Sequence, residues 1–117
     1  MKNEIRLTLK KLWFKLIRDY RKIEEYRDIT PYYCARLCAN YKKDSIECKD
    51  CKTNYCRPEP KANTVHFTLG YPRNDDNERH MVREIEEIRK GRGRLIWGAP
   101  QHRCFIIHLK PTDNGRN

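Results

Sequence analysis

The sequence has no apolar run long enough to cross a bilayer. Its longest stretches, such as Cys104 to Ile107, fall far short of the roughly 20 residues a spanning helix needs. Its first residues, Met1-Lys2-Asn3-Glu4, lack the apolar core of an export signal. These two absences predict a cytoplasmic protein with no membrane association. Thiols stay reduced there, so the six cysteines are not expected to form a disulfide framework. There is no internal repeat, and 117 residues leave no room for a second core, so a single domain over 1–117 is expected. Hydrophobic residues are only 38 % against 36 % charged, which predicts a small core under a densely ionic surface. Two Trp, seven Tyr and three Phe are still enough to argue against a wholly disordered chain.

Acidic groups are the scarcer charge: 16 Asp and Glu against 26 Lys and Arg give +10. The excess is +6 over residues 1–60 and +4 over 61–117, so no basic tail accounts for it. Such a chain is drawn to polyanions such as nucleic-acid phosphates, although charge alone does not select which polyanion.

Local pattern predicts the following elements. Glu4 to Leu9 alternate, with Ile5, Leu7 and Leu9 on one face of a strand. Leu12, Trp13, Leu16 and Ile17 then fall at helical spacing, with Lys11, Lys15, Arg18 and Asp19 toward water. Periodicity does not decide Lys22 to Arg27. Thr30-Pro31 reads as the N-cap and first position of a second short helix ending near Asn40. Thr64 to Leu69 alternate again and end at Gly70-Tyr71-Pro72. Met81, Ile85 and Ile88 have helical spacing, so periodicity alone predicts a helix there, ended by Gly91 and Gly93. Residues 103–109 carry the strongest strand signal, with Cys104 a small buried apolar residue and Pro111 onward a frayed tail.

The segment Leu12-Trp13-Phe14-Lys15-Leu16-Ile17, then Lys22-x-x-Glu25-x-Arg27 and Ile29-Thr30-Pro31-Tyr32, resembles the ASCH domain, a PUA-like β-barrel family with the hallmark G-x-K-x-x-E-x-R. Val65-His66-Phe67 through Gly70-Tyr71, and Trp97-Gly98-Ala99-Pro100 followed by Phe105-Ile106-Ile107, are similar to later blocks of that family. The resemblance implies that Lys22 to Arg27 and Met81 to Ile88 are strands. It also implies that Lys22, Glu25 and Arg27 line a groove taking RNA or a nucleotide-like ligand. Tyr20 replaces the hallmark glycine, so the tight turn that glycine makes with positive φ is expected to be built differently. In an extended strand Glu25 and Arg27 share a face and Lys22 points to the other, unless a bulge or helix end reorients it. Some ASCH-like relatives are amidohydrolases using a lysine, a threonine and a glutamate. Here these positions fall on Lys22, Glu25 and Glu84, so the hydroxyl is missing. Other relatives have been proposed as ribonucleases, for which Lys22, Arg27 and Glu25 supply suitable groups.

Relative to the family pattern, about twenty extra residues stand between Leu37 and Val65, and five cysteines lie in or beside them. This insertion, residues 38–62, has almost no aliphatic residues and needs something other than a hydrophobic core to order it. Cys48 and Cys51 form a C-x2-C pair, and Cys38, Cys48, Cys51 and Cys56 can close a tetrahedral, purely structural Zn2+ site, with Cys34 as the substitute ligand. Reduced thiols without metal and an iron–sulfur cluster are the rival readings. His66 and His80 are further possible ligands, whereas His102 and His108 carry no motif. The insertion's lysines with Tyr41 and Tyr55, and the flexible run Arg89-Lys90-Gly91-Arg92-Gly93-Arg94, suit contacts to a nucleic-acid backbone.

The expected fold is therefore α+β: a PUA-like (ASCH) barrel of about five or six strands, flanked by short helices and carrying a zinc-binding Cys-rich insertion. The expected function is nucleic-acid binding, RNA first, through Lys22, Glu25, Arg27 and Trp97. The alternative is a small hydrolase of a modified nucleoside or RNA, with Lys22, Glu25 and Glu84 as acid/base groups. A third possibility is a phage-type protein that binds a host protein.

Overall fold

The computed structural model of the chain describes residues 4–38 and 63–111. Over these, the alternating segments form strands β1 (Glu4–Leu9), β3 (Thr64–Leu69) and β5 (Cys104–Leu109), joined by β2 (Glu24–Arg27) and β4 (His80–Gly91). Helices α1 (Lys11–Arg18) and α2 (Pro31–Leu37) accompany one curled sheet of order β1-β3-β4-β5-β2, half of a barrel. β1 runs parallel to β3, and the other pairings are antiparallel. The α+β expectation holds.

The long strand β4 is the hinge of this curl. Its first part pairs with β3 and its second part with β5. A register shift between Ile85 and Glu87 marks a bulge. An extra residue advances the side-chain alternation by one, so Ile85 and Ile88 both reach the core although they are three apart. That spacing imitates a helix, so periodicity alone misreads Met81 to Ile88, which lie in a strand ending at Gly91, the element expected there from the resemblance.

The main core gathers Ile5, Leu7 and Leu9 from β1, Val65 and Phe67 from β3, Phe105, Ile107 and Leu109 from β5, and Phe14 and Ile17 from α1. Burial of each large side chain is worth roughly 1.5–3 kcal/mol. α1 buries a face turned from the expected one: Phe14 and Ile17 are inside, Trp13 and Leu16 are half-buried, and Leu12 is 58 % exposed. A second small cluster, Tyr26, Ala99, Cys104 and Ile106 with Trp97 against it, covers the opposite face of β5. The sheet is thus buried on both sides there, and the segment carrying Trp97 is held down over β2. α2 starts as expected, with Thr30 Oγ1 accepting from the Tyr33 N–H at 3.3 Å, but it ends at Leu37, before Asn40.

The turn after α1 corrects a further expectation. The Arg21 N–H donates to Leu16 O at 2.9 Å and the Tyr20 N–H to Ile17 O at 3.1 Å, the bond pair of a Schellman cap. Tyr20 takes the left-handed position itself, with φ 59°. The turn is made with positive φ after all, by a residue that costs about 1–2 kcal/mol there. Arg83 lies against the Tyr20 ring, 4.1 Å from its centre, and donates to Ile17 O at 2.9 Å and Lys110 O at 3.1 Å. This stacking offsets part of the strain.

Candidate functional site

β1 and β2 are the two edges of the curled sheet, and among the described residues no backbone ladder joins them. Arg27 spans the seam, donating from Nη2 to Thr8 O at 2.9 Å. A cavity of about 480 Å3 opens along that seam, between the end of β1 and the start of β2. Lys22, Glu25, Arg27 and Trp97, the residues expected to bind ligand, all line it, together with Trp13 and Tyr26.

Glu25 and Arg27 stand opposite Ile107 and Phe105 of β5, so they share the concave face, as strand alternation predicts. Lys22 lies before β2 begins, and strand alternation does not govern it. The Schellman turn ties its N–H to Leu16 O at 3.1 Å. From there Nζ donates to Glu25 Oε1 at 2.9 Å and to Trp97 O at 2.6 Å, and sits 4.3 Å from the centre of the Trp13 indole. Arg27 Nη1 donates to the other Glu25 oxygen and, at 2.8 Å, to Tyr26 O. Glu25 is thus clamped between two cations, and the floor keeps one net positive charge. Burial pulls the Lys22 ammonium below the ordinary lysine range, an effect that Glu25 partly offsets.

Glycine fixes the aromatic wall. At Gly98, φ is +89°, and an added Cβ would come within 2.7 Å of the Trp13 ring. Behind the cavity, Tyr26 donates to Glu24 Oε1 at 2.9 Å and accepts from the Arg94 N–H at 3.1 Å. Burial, with Glu24 beside it, raises the Tyr26 phenol far above its ordinary value. Glu24 also accepts from Arg89 at 2.9 Å and lies 3.2 Å from His108 Nδ1, so His108, without a motif, belongs to this support.

Other expected residues lie elsewhere. Glu84 is exposed on β4, opposite Thr64, and does not line the cavity, so Lys22 and Glu25 are not joined by it. Cys38 caps α2 and is buried in the main core beside Cys34, while Cys48, Cys51 and Cys56 lie outside the described residues. Among the described residues no group of three or more His, Cys, Asp or Glu is placed to hold a metal ion. His66 Nε2 and His80 Nδ1 meet at 2.8 Å, and His66 Nδ1 lies 3.4 Å from Glu4. Cys104 is fully buried, as expected, and burial raises its thiol pKa. The expected flexible run 89–94 is tied into the fold: Arg89 pairs with Glu24 and Glu87, and Arg92 donates to Gln101 O at 2.8 Å. Among the described residues no helix is long and apolar enough to cross a membrane.

Sequence reasoning missed a second hollow that adjoins the first. It shares Thr8, Arg27, Gly70 and Tyr71 with the seam cavity and extends to Arg6 and Arg36. A third hollow, bounded by Asp28, Arg92 and His102, lies apart from both. Compared with protein-family models, curated proteins and solved structures, the chain matches none.

Proposed function

We propose that this chain binds single-stranded nucleic acid, RNA first, by admitting a base to the seam cavity. The supporting observation is the convergence of Lys22, Glu25 and Arg27 on one opening walled by Trp13, Trp97 and Tyr26. Its volume of about 480 Å3 lies in the range of small-ligand sites. Indole faces suit any base, and each stacked base contributes about 1–3 kcal/mol. The net positive floor and Lys10 at the rim favour carbonyl-bearing bases and the phosphates that flank them. Lys22 already has two hydrogen-bond acceptors and an indole face, so it acts as the pin of the floor, with Arg27 nearer the ligand. The likeness to the ASCH domain, and with it a PUA-like barrel, belongs to this same reading. The test is fluorescence anisotropy of a labelled RNA octamer. The wild-type chain is expected to bind it with affinity that falls steeply with salt, and Trp97→Ala to weaken it about tenfold or more. No binding at low salt rejects the proposal.

One observation favours a second reading, hydrolysis of a modified nucleoside. A buried lysine with a lowered pKa beside a carboxylate, at the wall of a cavity, is the environment of an acid/base pair. With Glu84 outside the cavity, that reading rests on Lys22 and Glu25. Release of an acyl group from N4-acylcytidine, lost in Glu25→Gln, would establish it.

The structural zinc on Cys38, Cys48, Cys51 and Cys56 is part of the same proposal, as the ordering device of residues 38–62. Only Cys38 falls within the described residues, at the point where the chain enters that segment. One zinc per chain by elemental analysis supports it, and metal-free folded protein rejects it.

A further inference from the structure

The second hollow is as large as the first, about 470 Å3, and its chemistry differs. Among the described residues its charged lining is Arg6, Arg27 and Arg36, with no carboxylate. Three tyrosines accompany them: Tyr32 and Tyr33 from α2, and Tyr71 after the β3 turn. Tyr71 is 95 % exposed and Tyr32 57 %, more than core packing explains. Arg36 stacks on Tyr32, 3.5 Å from the ring centre, and donates to Tyr32 O at 3.0 Å. That leaves most of its planar fork of donors for another acceptor. Arg6 is mainly exposed, and its approach to Glu4 is a loose 3.7 Å.

We infer that this hollow is the phosphodiester track of a strand whose base occupies the seam cavity, so the ligand is a run of at least two nucleotides and not a free nucleoside. The inference rests on the base-binding reading above and adds to it the strand, the path and the residues that follow it. Guanidinium groups match phosphate oxygens two at a time. Arg36 keeps most of its donors beyond its bond to Tyr32 O and Arg6 holds Glu4 only loosely, so these two can take a phosphate, while Arg27, held on Glu25, adds its charge to the wall. Arg27 stands on the boundary of both hollows, with one edge on Glu25 and the other on Thr8 O at the seam. Tyr71, also shared, offers a ring face at the junction, where a neighbouring base can stack. A strand leaving the first hollow meets Arg6 and Arg36 next.

The test compares the wild-type chain with Arg6→Gln/Arg36→Gln, titrating both with an RNA octamer from 50 to 200 mM salt and following tryptophan fluorescence. The double variant is expected to bind at least tenfold more weakly at 50 mM. Its plot of log affinity against log salt should flatten by about 1.4, about 0.7 for each single-strand phosphate that an arginine no longer neutralises. Quenching at saturation should stay unchanged, because Trp13 and Trp97 still meet a base. Arg6→Gln alone, at an exposed strand position, is expected to take about half of that change, which guards against a helix disturbed at Arg36. An unchanged salt slope while the wild type binds overturns the track and leaves the base-binding reading standing. Failure of the wild type to bind the octamer overturns both. A DNA octamer of the same sequence, run in parallel, is expected to show the same flattening of the slope, since the track binds phosphates. A flattening confined to RNA would contradict it.

Discussion

Lys22 and Glu25 form a buried ion pair at 2.9 Å, their side chains only 1 % and 7 % exposed, at the wall of an open cavity. Burying two charges gains little unless their remaining donors and acceptors are met. Here Trp97 O accepts a hydrogen bond from Lys22 and Arg27 donates to the far Glu25 oxygen, so the three side chains and the Trp97 segment hold one another in place.

Removing both partners should therefore cost less than the sum of removing each alone. Lys22→Met is expected to destabilise the fold by about 3 kcal/mol, because it leaves a buried carboxylate with Arg27 alone. Lys22→Met/Glu25→Gln should recover at least about 1 kcal/mol of the summed single losses. Urea denaturation of Lys22→Met, Glu25→Gln and the double variant measures the coupling, and simple additivity would show that the pair is not a unit.

The cap at Tyr20 makes a second prediction. Tyr20→Ala keeps the left-handed strain and loses the stack on Arg83, whereas Tyr20→Gly loses the stack but relieves the strain. The glycine variant should be the more stable of the two by about 1 kcal/mol. Equal midpoints in denaturant would mean that the turn is not strained.

Glu24 contributes to the acid limb. Burial raises its pKa, but hydrogen bonds from Tyr26, His108 and Arg89 outweigh burial and hold the carboxyl below its ordinary value of 4.5. A carboxylate lowered in the folded state stabilises above its unfolded value, and that contribution is lost as pH falls through the folded value. Wild-type stability should therefore drop as pH falls below about 4.5. Glu24→Gln should start lower at pH 7 and fall less steeply. Parallel pH curves for the two proteins would contradict this role.

How far the sequence was legible depended on whether neighbours in space were neighbours in the chain. β1, β3 and β5 each carry their alternation intact, and Thr30-Pro31 announces α2 within two residues. β4 misleads because its bulge places Ile85 and Ile88 on one face at a helical interval. Lys22, Glu25 and Arg27 were legible as a cluster, because they stand within one six-residue segment. Lys22's direction was not, since it depends on a left-handed Tyr20 that local rules disfavour. The arginine-lined hollow left no local signal: Arg6, Arg36 and Tyr71 come from β1, α2 and the turn after β3. The Glu24, Arg89 and His108 support likewise joins three separate strands.

The chain has two tryptophans, and both line the seam cavity. Two indole N–H signals in a 15N-correlated NMR spectrum therefore report on that cavity directly. Titration with an RNA octamer at low salt should move both, along with the backbone signals of Thr8 and Arg27. Those of Arg92 and His102, in the separate third hollow, should stay in place. Indole signals that do not move while RNA binds, or shifts confined to the Arg92 and His102 side, would contradict a base in the seam between β1 and β2.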